Sequence, residues 1–485
     1  MLEWNSHRYL ELYYAVPGLG AVLHTVNIRY SPEDLVYTIN HAGDEILFVK
    51  DEFVPLVSAI MPKLKTVRKA VIMTDRPEPP QVKLPGIEVY NYEDLIKSSS
   101  PYEFGDLDER TVATLFYTSG TTGPPKGVFF THRQLVLHAM AVAISTSAPP
   151  YELSVRDIVM PLVPMYHVHA WGGGPHAMFL AGQKYVFTGR MDWGGYILKT
   201  ISEEKVTYIY GVPVILYLLL THPDSPKYDL RGGLKYGNGG SAMPEGLYKL
   251  ARSRGGIIVI NGYGLSETAP VIAQALFNAS MLGWPDEKKE NYLMKGLRQI
   301  PLAFIRVVND QGKDVPKDGK TIGEIVVRSP WLTPAYFKDP EKTRDLWRGG
   351  WLHTGDVAVW DSEGHIWIMD RLKDVIKSGG EWIVSTKLED IISTYPAVGE
   401  VAVVGVPHPK WGGERPVAIV VPKPGQRITE DEIKNHLMKY VEKGEIPKWW
   451  LPDKIIISEK ELPKTSTAKA DKKVLRELYK NVLSS

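Results

Sequence analysis

Residues 117–127 read Tyr-Thr-Ser-Gly-Thr-Thr-Gly-Pro-Pro-Lys-Gly, and this stretch narrows what the chain can become more than any other. It gathers hydroxyls, glycines and a lysine in one loop. Backbone N–H groups in glycine turns converge on an anion, and Ser or Thr hydroxyls add donors, which is the chemistry of a polyphosphate site. Lys126 adds a compact positive charge. The run 112–117 before the loop reads as a strand, and Thr131 with Gln134 behind it fits a capping box that opens a helix through Leu135, Leu137 and Met140. The loop fails the Walker A pattern. Counting from Gly120, Pro125 stands where glycine is needed, and Gly127 where Ser or Thr is needed. That argues against a P-loop kinase or GTPase and for another way of holding ATP.

Strand-like runs at 158–163, 206–212 and 256–260 alternate with helical stretches, the pattern of an α/β architecture with largely parallel central strands. From about Leu302 the character changes to short strands, at 303–308, 323–328 and 366–369, broken by turns at 310–312 and 361–364. This predicts a small β-rich, barrel-like subdomain over about 302–370. The charged stretch 370–374 leads into a compact α+β tail, with a helix from Lys387, strands at 401–404 and 417–421 and a helix from Asp431. Thr386/Glu389 and Thr429/Glu432 read as capping boxes for those helices. A chain of 485 residues is too long for one ordinary core, and the expected division is 1–370 and 371–485.

A net charge of +1 argues against nucleic acid as the main partner. With no cysteine, disulfides, thiolate catalysis and Cys-ligated zinc are excluded. Sparse Asn and Gln beside many Lys, Arg and Glu hint at a thermophilic source. No run is apolar enough to span a bilayer, and Glu3, Asn5, His7 and Arg8 interrupt any signal sequence, so a cytoplasmic protein is expected. Trp4, Leu10, Leu12, Tyr13 and Val16 give a helical pattern at once, with no strand expected before it, which suggests an incomplete first subdomain.

Three further motifs sharpen the loop. Residues 261–268, Asn-Gly-Tyr-Gly-Leu-Ser-Glu-Thr, place an aromatic between glycines, suited to a purine face, and a carboxylate four residues on. His353-Thr354-Gly355-Asp356 puts a carboxylate behind a glycine turn, suited to a ribose diol. Residues 370–374 are followed by Lys377-Ser378-Gly379-Gly380-Glu381. In this order the motifs resemble the adenylate-forming superfamily of acyl-CoA synthetases, luciferases and peptide-synthetase adenylation domains. The resemblance is nearest to the fatty acyl-CoA synthetase branch, through 163–171 and 370–383.

That resemblance implies a large N-terminal domain and a small mobile C-terminal domain that activate a medium- or long-chain fatty acid. ATP, Mg²⁺ and coenzyme A are the implied cofactors and cosubstrates. Thr118, Ser119, Gly120, Thr121, Thr122 and Gly123 would hold the phosphates, with Lys126 stabilising the loop. Gly239, Gly240, Ser241, Ala242, Tyr263 and Gly264 would line the adenine pocket. Glu267, with Thr121, would bind Mg²⁺, and Thr268 a phosphate oxygen. Asp356 and Arg371 would take the ribose, Lys373 would be the hinge, Gly379 and Gly380 would face the second half-reaction, and Lys469 would be the mobile catalytic lysine. His167, Trp171 and Gly172 would meet the acid. The N-terminal segment that opens the fold in such proteins is not recognised here, and it can contribute to a homodimer.

The residues leave some choices open. His167 and His169 at strand spacing could form a metal pair, but no third ligand is near in sequence, and zinc sites need three or four. Trp171 reads equally as an acyl-tunnel cap and as core. Ala468 stands where relatives carry glycine, and Gly172-Gly173-Gly174 stands where they carry bulkier residues, which would widen the pocket or serve as a flexible connection. Alternatives to a fatty acid ligase are an aryl- or cinnamate-type CoA ligase and an inactive nucleotide-binding homologue.

Overall fold

The alternating apolar runs build a seven-stranded sheet, and the register of that sheet positions the site. The computed structural model describes residues 1–118, 123–172, 174–190, 195–228, 230, 233–379, 381–409, 413–464 and 470–483. Expectations placed on Ser119, Gly120, Thr121, Thr122, Gly173, Gly380, Ala468 and Lys469 lie outside the described residues. The chain divides into two units, Met1–Ile305 with Val327–His353, and Arg306–Val326 with Thr354–Ser485. The expected boundary at 370/371 falls inside the second unit.

In the first unit the sheet runs in the order Arg298–Gln299, Val271–Gln274, Ile258–Gly264, Lys235–Asn238, Tyr208–Gly211, Ile158–Pro161, Lys184–Tyr185. Its centre is parallel, as the βα alternation requires. Gly211, Asn238 and Asn261 stand side by side in register at the carboxyl ends of three parallel strands. Open α/β sheets bind ligands at such ends. The strand expected at 256–260 instead runs Ile258–Gly264, because its tail pairs antiparallel with Val271–Gln274, Tyr263 opposite Ala273.

Val112–Thr118 pairs parallel with Leu23–Thr25 and antiparallel with Lys126–Thr131. The glycine loop therefore joins two strands, with Thr118 opposite Lys126, and the helix follows the second strand. That helix, His132–Ser147, has the expected capping box: Gln134 N–H donates to Thr131 Oγ1 at 3.3 Å and Thr131 N–H to Gln134 Oε1 at 2.8 Å. The N-terminal helix His7–Gly18 buries Arg8, Tyr9, Leu12, Tyr13 and Pro17, and Trp4 lies outside it. Leu2 pairs with Val49 ahead of this helix, a strand-like contact that the sequence pattern misses.

The β-rich segment forms a four-stranded sheet ordered Phe304–Val308, Gly323–Arg328, Leu352–Trp360, Ile366–Arg371. In the tail, Val398–His408 pairs antiparallel with Gly413–Pro422, which pairs parallel with Lys454–Ile457. Ile383, Leu388, Ile392, Val403, Ala418, Val420, Ile433 and Leu437 form its core. The Thr429/Glu432 capping box is present. The Thr386/Glu389 box is not: the helix is Ser385–Ser393, Thr386 Oγ1 donates to the Met369 carbonyl, and Glu389 is taken up by Val403 N–H and Lys472. Among the described residues no helix is long and apolar enough to cross a membrane.

Candidate active site

The glycine loop leaves Thr118 and returns at Gly123, whose φ of +86° is a left-handed conformation open to glycine. Across its base, Lys126 Nζ donates to the Tyr336 hydroxyl at 3.0 Å and lies 4.3 Å from the centre of that ring. Tyr336 in turn donates to Glu267 Oε1 at 2.6 Å. Burial, and then the charge of Glu267, holds the Tyr336 phenol well above its ordinary pKa, so the hydroxyl keeps its proton. Lys126, expected to stabilise its own loop, thus joins it through Tyr336 to the carboxylate expected on the metal. Tyr336 is absent from the sequence-based set.

Glu267 sits on a tight turn, and two glycines make room for it. A Cβ on Gly264 would lie 1.7 Å from the Pro270 carbonyl oxygen, and one on Gly172 would lie 2.0 Å from that of Ala269. Gly172 therefore neither widens a pocket nor serves as a flexible link; its missing side chain is the space the turn occupies. Gly174 is equally tight, with the Tyr210 hydroxyl 2.1 Å from its Cβ position. Thr268, expected on a phosphate, is fully buried. Its hydroxyl is spent inside the turn, accepting from Leu265 N–H at 2.8 Å and reaching the Leu265 and Pro270 carbonyls.

The expected adenine segments follow the sheet register. Asn238 Nδ2 donates to Asn261 Oδ1 at 2.7 Å and to the Ser241 carbonyl at 3.0 Å. This buried pair ties the 239–242 turn to the strand carrying Tyr263 and Gly264. Gly240 has φ +75°, and a Cβ on Gly239 would lie 2.9 Å from His169 Nε2. Asn238, missed in sequence, keeps a buried Oδ1 with no partner among the described residues.

His167 precedes the short helix Val168–Trp171 and makes no side-chain hydrogen bond among the described residues. It is solvent-accessible yet surrounded by protein; desolvation, then His169 and Arg29, lower its pKa to about 4. Burial takes His169 to about 4 as well. Both rings are neutral at pH 7. His167 can exchange a hydrogen bond with a carboxylate but adds no charge. No group of three metal-ligating side chains occurs among the described residues, so the His167/His169 pair gains no third ligand.

Trp171 is core. It is 1% exposed and packs edge-on against Phe116, at 5.4 Å between ring centres, and Phe130, at 6.4 Å, with Tyr13 and His176 also at 6.4 Å.

In the second unit, Asp356 and Arg371 are register partners, and Arg371 Nε meets Asp356 Oδ1 at 2.9 Å. Gly355, at φ +68°, stands inside the strand Leu352–Trp360, immediately before Asp356. Lys373 is exposed and Gly379 has φ +58°.

Glu267 also answers whether a magnesium ion fits. It offers hard carboxylate oxygens, and Oε2 has no partner among the described residues. Mg²⁺ is usually held by one or two carboxylates together with substrate phosphates, so a single free carboxylate oxygen suits it.

Residues 1–337 match the family described as AMP-binding enzyme, and residues 387–469 match the AMP-binding enzyme C-terminal domain. The chain is 43% identical over 484 residues to a long-chain-fatty-acid–CoA ligase of Thermus thermophilus, covering 99% of this chain and 85% of that protein. It is 39% identical over 483 residues to a 3-methylmercaptopropionyl-CoA ligase of Ruegeria pomeroyi, covering 100% and 87%. Among solved structures, the anthranilate CoA ligase AuaEII in complex with anthranoyl-AMP superposes with a TM-score of 0.80 at 24% identity, covering 100% and 87%, a likeness of fold. The chain belongs to the AMP-binding enzyme family, within the adenylate-forming superfamily, and is an AMP-forming acid–thiol ligase that makes acyl-CoA through an acyl-adenylate.

Proposed function

We propose that the acid is a fatty acid of medium or long chain, and that Lys126, Tyr336 and Glu267 organise its activation. The observation that carries this reading is the continuous hydrogen-bonded link from the glycine loop through Tyr336 to Glu267. The identity to a long-chain ligase supports the choice of acid.

In the first step a carboxylate oxygen attacks the α-phosphorus of ATP. The bond to the bridging oxygen breaks, and pyrophosphate leaves with the electron pair. Two anions must meet, and like unit charges at about 4 Å repel by roughly 4 kcal/mol at an effective dielectric near 20. Thr118, Gly123 and the loop between them hold the phosphates, Lys126 adds positive charge, and Lys469 neutralises the forming P–O bond. Mg²⁺, when bound beside Glu267, supplies further charge neutralisation at the phosphates. His167 donates a hydrogen bond to the acid. Asp356 accepts from the ribose hydroxyls and Arg371 donates to them, while Tyr263 and the 239–242 turn take the adenine.

In the second step the thiol sulfur of coenzyme A attacks the acyl carbonyl, the carbonyl C–O bond to phosphate breaks, AMP departs and the thiol proton goes to solvent. Rotation about Lys373 withdraws Lys469 and brings the Gly379 face into play, a lid that exchanges roles between steps.

A panel of carboxylic acids tests the reading, with AMP release in the presence of ATP and coenzyme A as the measurement. C8 to C18 fatty acids are expected to outrun 3-methylmercaptopropionate, cinnamate and anthranilate. A preference for the short or aromatic acids overturns the choice of acid, and no acid-dependent AMP release overturns the activity.

A further inference from the structure

The C-terminal helix Lys472–Tyr479 is tied to the expected hinge twice. Arg476 Nη2 donates to the Lys373 carbonyl at 2.9 Å and pairs with Asp374 Oδ1 at 2.6 Å. Both partners sit at the hinge or just beyond it, so this tie can persist when the tail rotates.

The second tie is different, because it crosses Lys373. Lys472 Nζ donates to Ser385 Oγ at 2.7 Å, and Ser385 Oγ donates to Asp370 Oδ2 at 2.6 Å. Lys472 is anchored on its other side by Glu389 at 2.7 Å, which also accepts from Val403 N–H at 2.7 Å. Asp370 is held in turn: its Oδ1 accepts from Arg371 N–H at 2.8 Å, and its Oδ2 from Thr386 N–H at 3.2 Å. Asp370 and Ser385 are both buried, and Lys472 and Glu389 nearly so. Hydrogen bonds to charged groups in such surroundings are strong and costly to leave unmade. Asp370 lies before Lys373 in the chain, whereas Ser385, Glu389 and Lys472 lie after it. Rotation about Lys373 therefore requires the Ser385–Asp370 contact to open, while the Lys472–Glu389 pair travels with the tail.

We propose that Ser385 and Lys472 are positioning residues for the two-step reaction: they latch the tail to Asp370 and hold one of its two orientations. The proposal rests on the two-step reading with Lys373 as hinge. It places the latch next to the nucleotide side of the site, since Arg371, which follows Asp370, is the residue paired with Asp356. It also places the latch at the start of the helix that follows the Lys469 segment, whose base is closed by the pairing of Lys464 with Ala470 and by Asp471 N–H on the Pro463 carbonyl at 2.7 Å.

The test uses the full chain with Ser385→Ala, which removes only the hydroxyl. A second variant, Lys472→Met with Glu389→Gln, removes both charges of the ion pair together, so neither partner is left charged without the other. Three quantities are measured: dodecanoate-dependent ATP–pyrophosphate exchange, thioester formation from supplied dodecanoyl-adenylate and coenzyme A, and hydrogen exchange of the 372–376 and 470–475 backbone amides. In both variants the ratio of the two half-reaction rates is expected to shift by about tenfold, the scale of one hydrogen bond to a charged group. Exchange should quicken at 372–376 and 470–475 together. Equal factors in both half-reactions, or no change in either, overturn the latch. If the unmodified chain shows neither half-reaction, the two-step reading fails, and hydrogen exchange alone decides the latch: quickened exchange at both segments supports it, and unchanged exchange at 372–376 overturns it.

Discussion

Tyr336 donates its hydroxyl to Oε1 of Glu267 at 2.6 Å while accepting from Lys126 at 3.0 Å. The phenol therefore fixes which carboxylate oxygen is occupied and leaves the other for a cation. Tyr336→Phe keeps the ring under Lys126 but removes both hydrogen bonds. Adenylation is expected to fall by about tenfold, with a several-fold rise in the Mg²⁺ concentration for half-maximal rate, since hydrogen bonds to charged groups contribute about 1.5–3 kcal/mol. Magnesium titration of ATP–pyrophosphate exchange checks this, and an unchanged magnesium dependence would show that the hydroxyl does not orient Glu267.

Gly172 makes a second prediction, because its missing Cβ is occupied by the Ala269 carbonyl. Gly172→Ala forces the turn carrying Glu267 to shift, at a cost of about 1–3 kcal/mol for overpacking. Adenylation should drop with the melting temperature while the ranking of acids stays the same. A variant of ordinary stability that accepts bulkier acids would restore the wide-pocket reading.

Trp171 separates packing from substrate contact. Its Nε1 is buried with no partner among the described residues, so Trp171→Phe gives up area without orphaning a polar group. That change should cost about 1 kcal/mol, whereas Trp171→Ala should cost about 3–5 kcal/mol through the cavity it opens. Urea unfolding measures both. Full stability in the alanine variant with an altered chain-length profile would make Trp171 a tunnel residue after all.

What the sequence discloses and what it conceals divide along contact distance. The strand before the glycine loop and the Thr131/Gln134 cap are local, so spacing alone makes them legible, whereas the strand Lys126–Thr131 behind the loop is not among the runs that spacing offers. Asp356 and Arg371 are each singled out by the resemblance, for the ribose, but that they pair with one another is seen only once the strand register brings their motifs together. Tyr336 is not, since it meets Lys126 across 210 residues in a loop with no phosphate or metal signature. Thr268 misleads for the opposite reason: it stands at a motif position, yet the turn claims its hydroxyl. Thr386 and Glu389 have capping-box spacing, but Met369, Val403 and Lys472 offer them better partners than the helix end does.

Lys469 stands two residues before Asp471, the N-cap of the C-terminal helix. In the proposed mechanism its charge serves only the first step. Lys469→Ala should lose about two to three orders of magnitude in adenylation, the scale of removing one preorganised donor. Thioester formation from supplied acyl-adenylate should be spared, and equal losses in the two half-reactions would remove Lys469 from that role.

Acid should weaken the first unit through its histidines. Burial lowers His138 to about 3 and His169 and His176 to about 4, against an ordinary value near 6.5. His138 Nε2 accepts from Val271 N–H at 3.2 Å, a bond lost when that nitrogen is protonated. Between pH 6.5 and 4 the unfolded chain binds more protons at these sites than the folded one, so the histidines' share of the stability rises with pH across that window, opposed in the first unit by Glu3, whose carboxyl burial pushes up to about 7. Their contribution is complete above about 6.5 and is lost as pH falls toward 4, and toward 3 for His138, at up to about 1.4 kcal/mol per pH unit for each ring. His167 is solvent-accessible, so its share of this effect is screened. Urea unfolding at pH 7, 5.5 and 4.5 should show a steep loss that His176→Asn reduces by about one ring's share. A slope unchanged by that substitution would assign the acid sensitivity to the carboxylates instead.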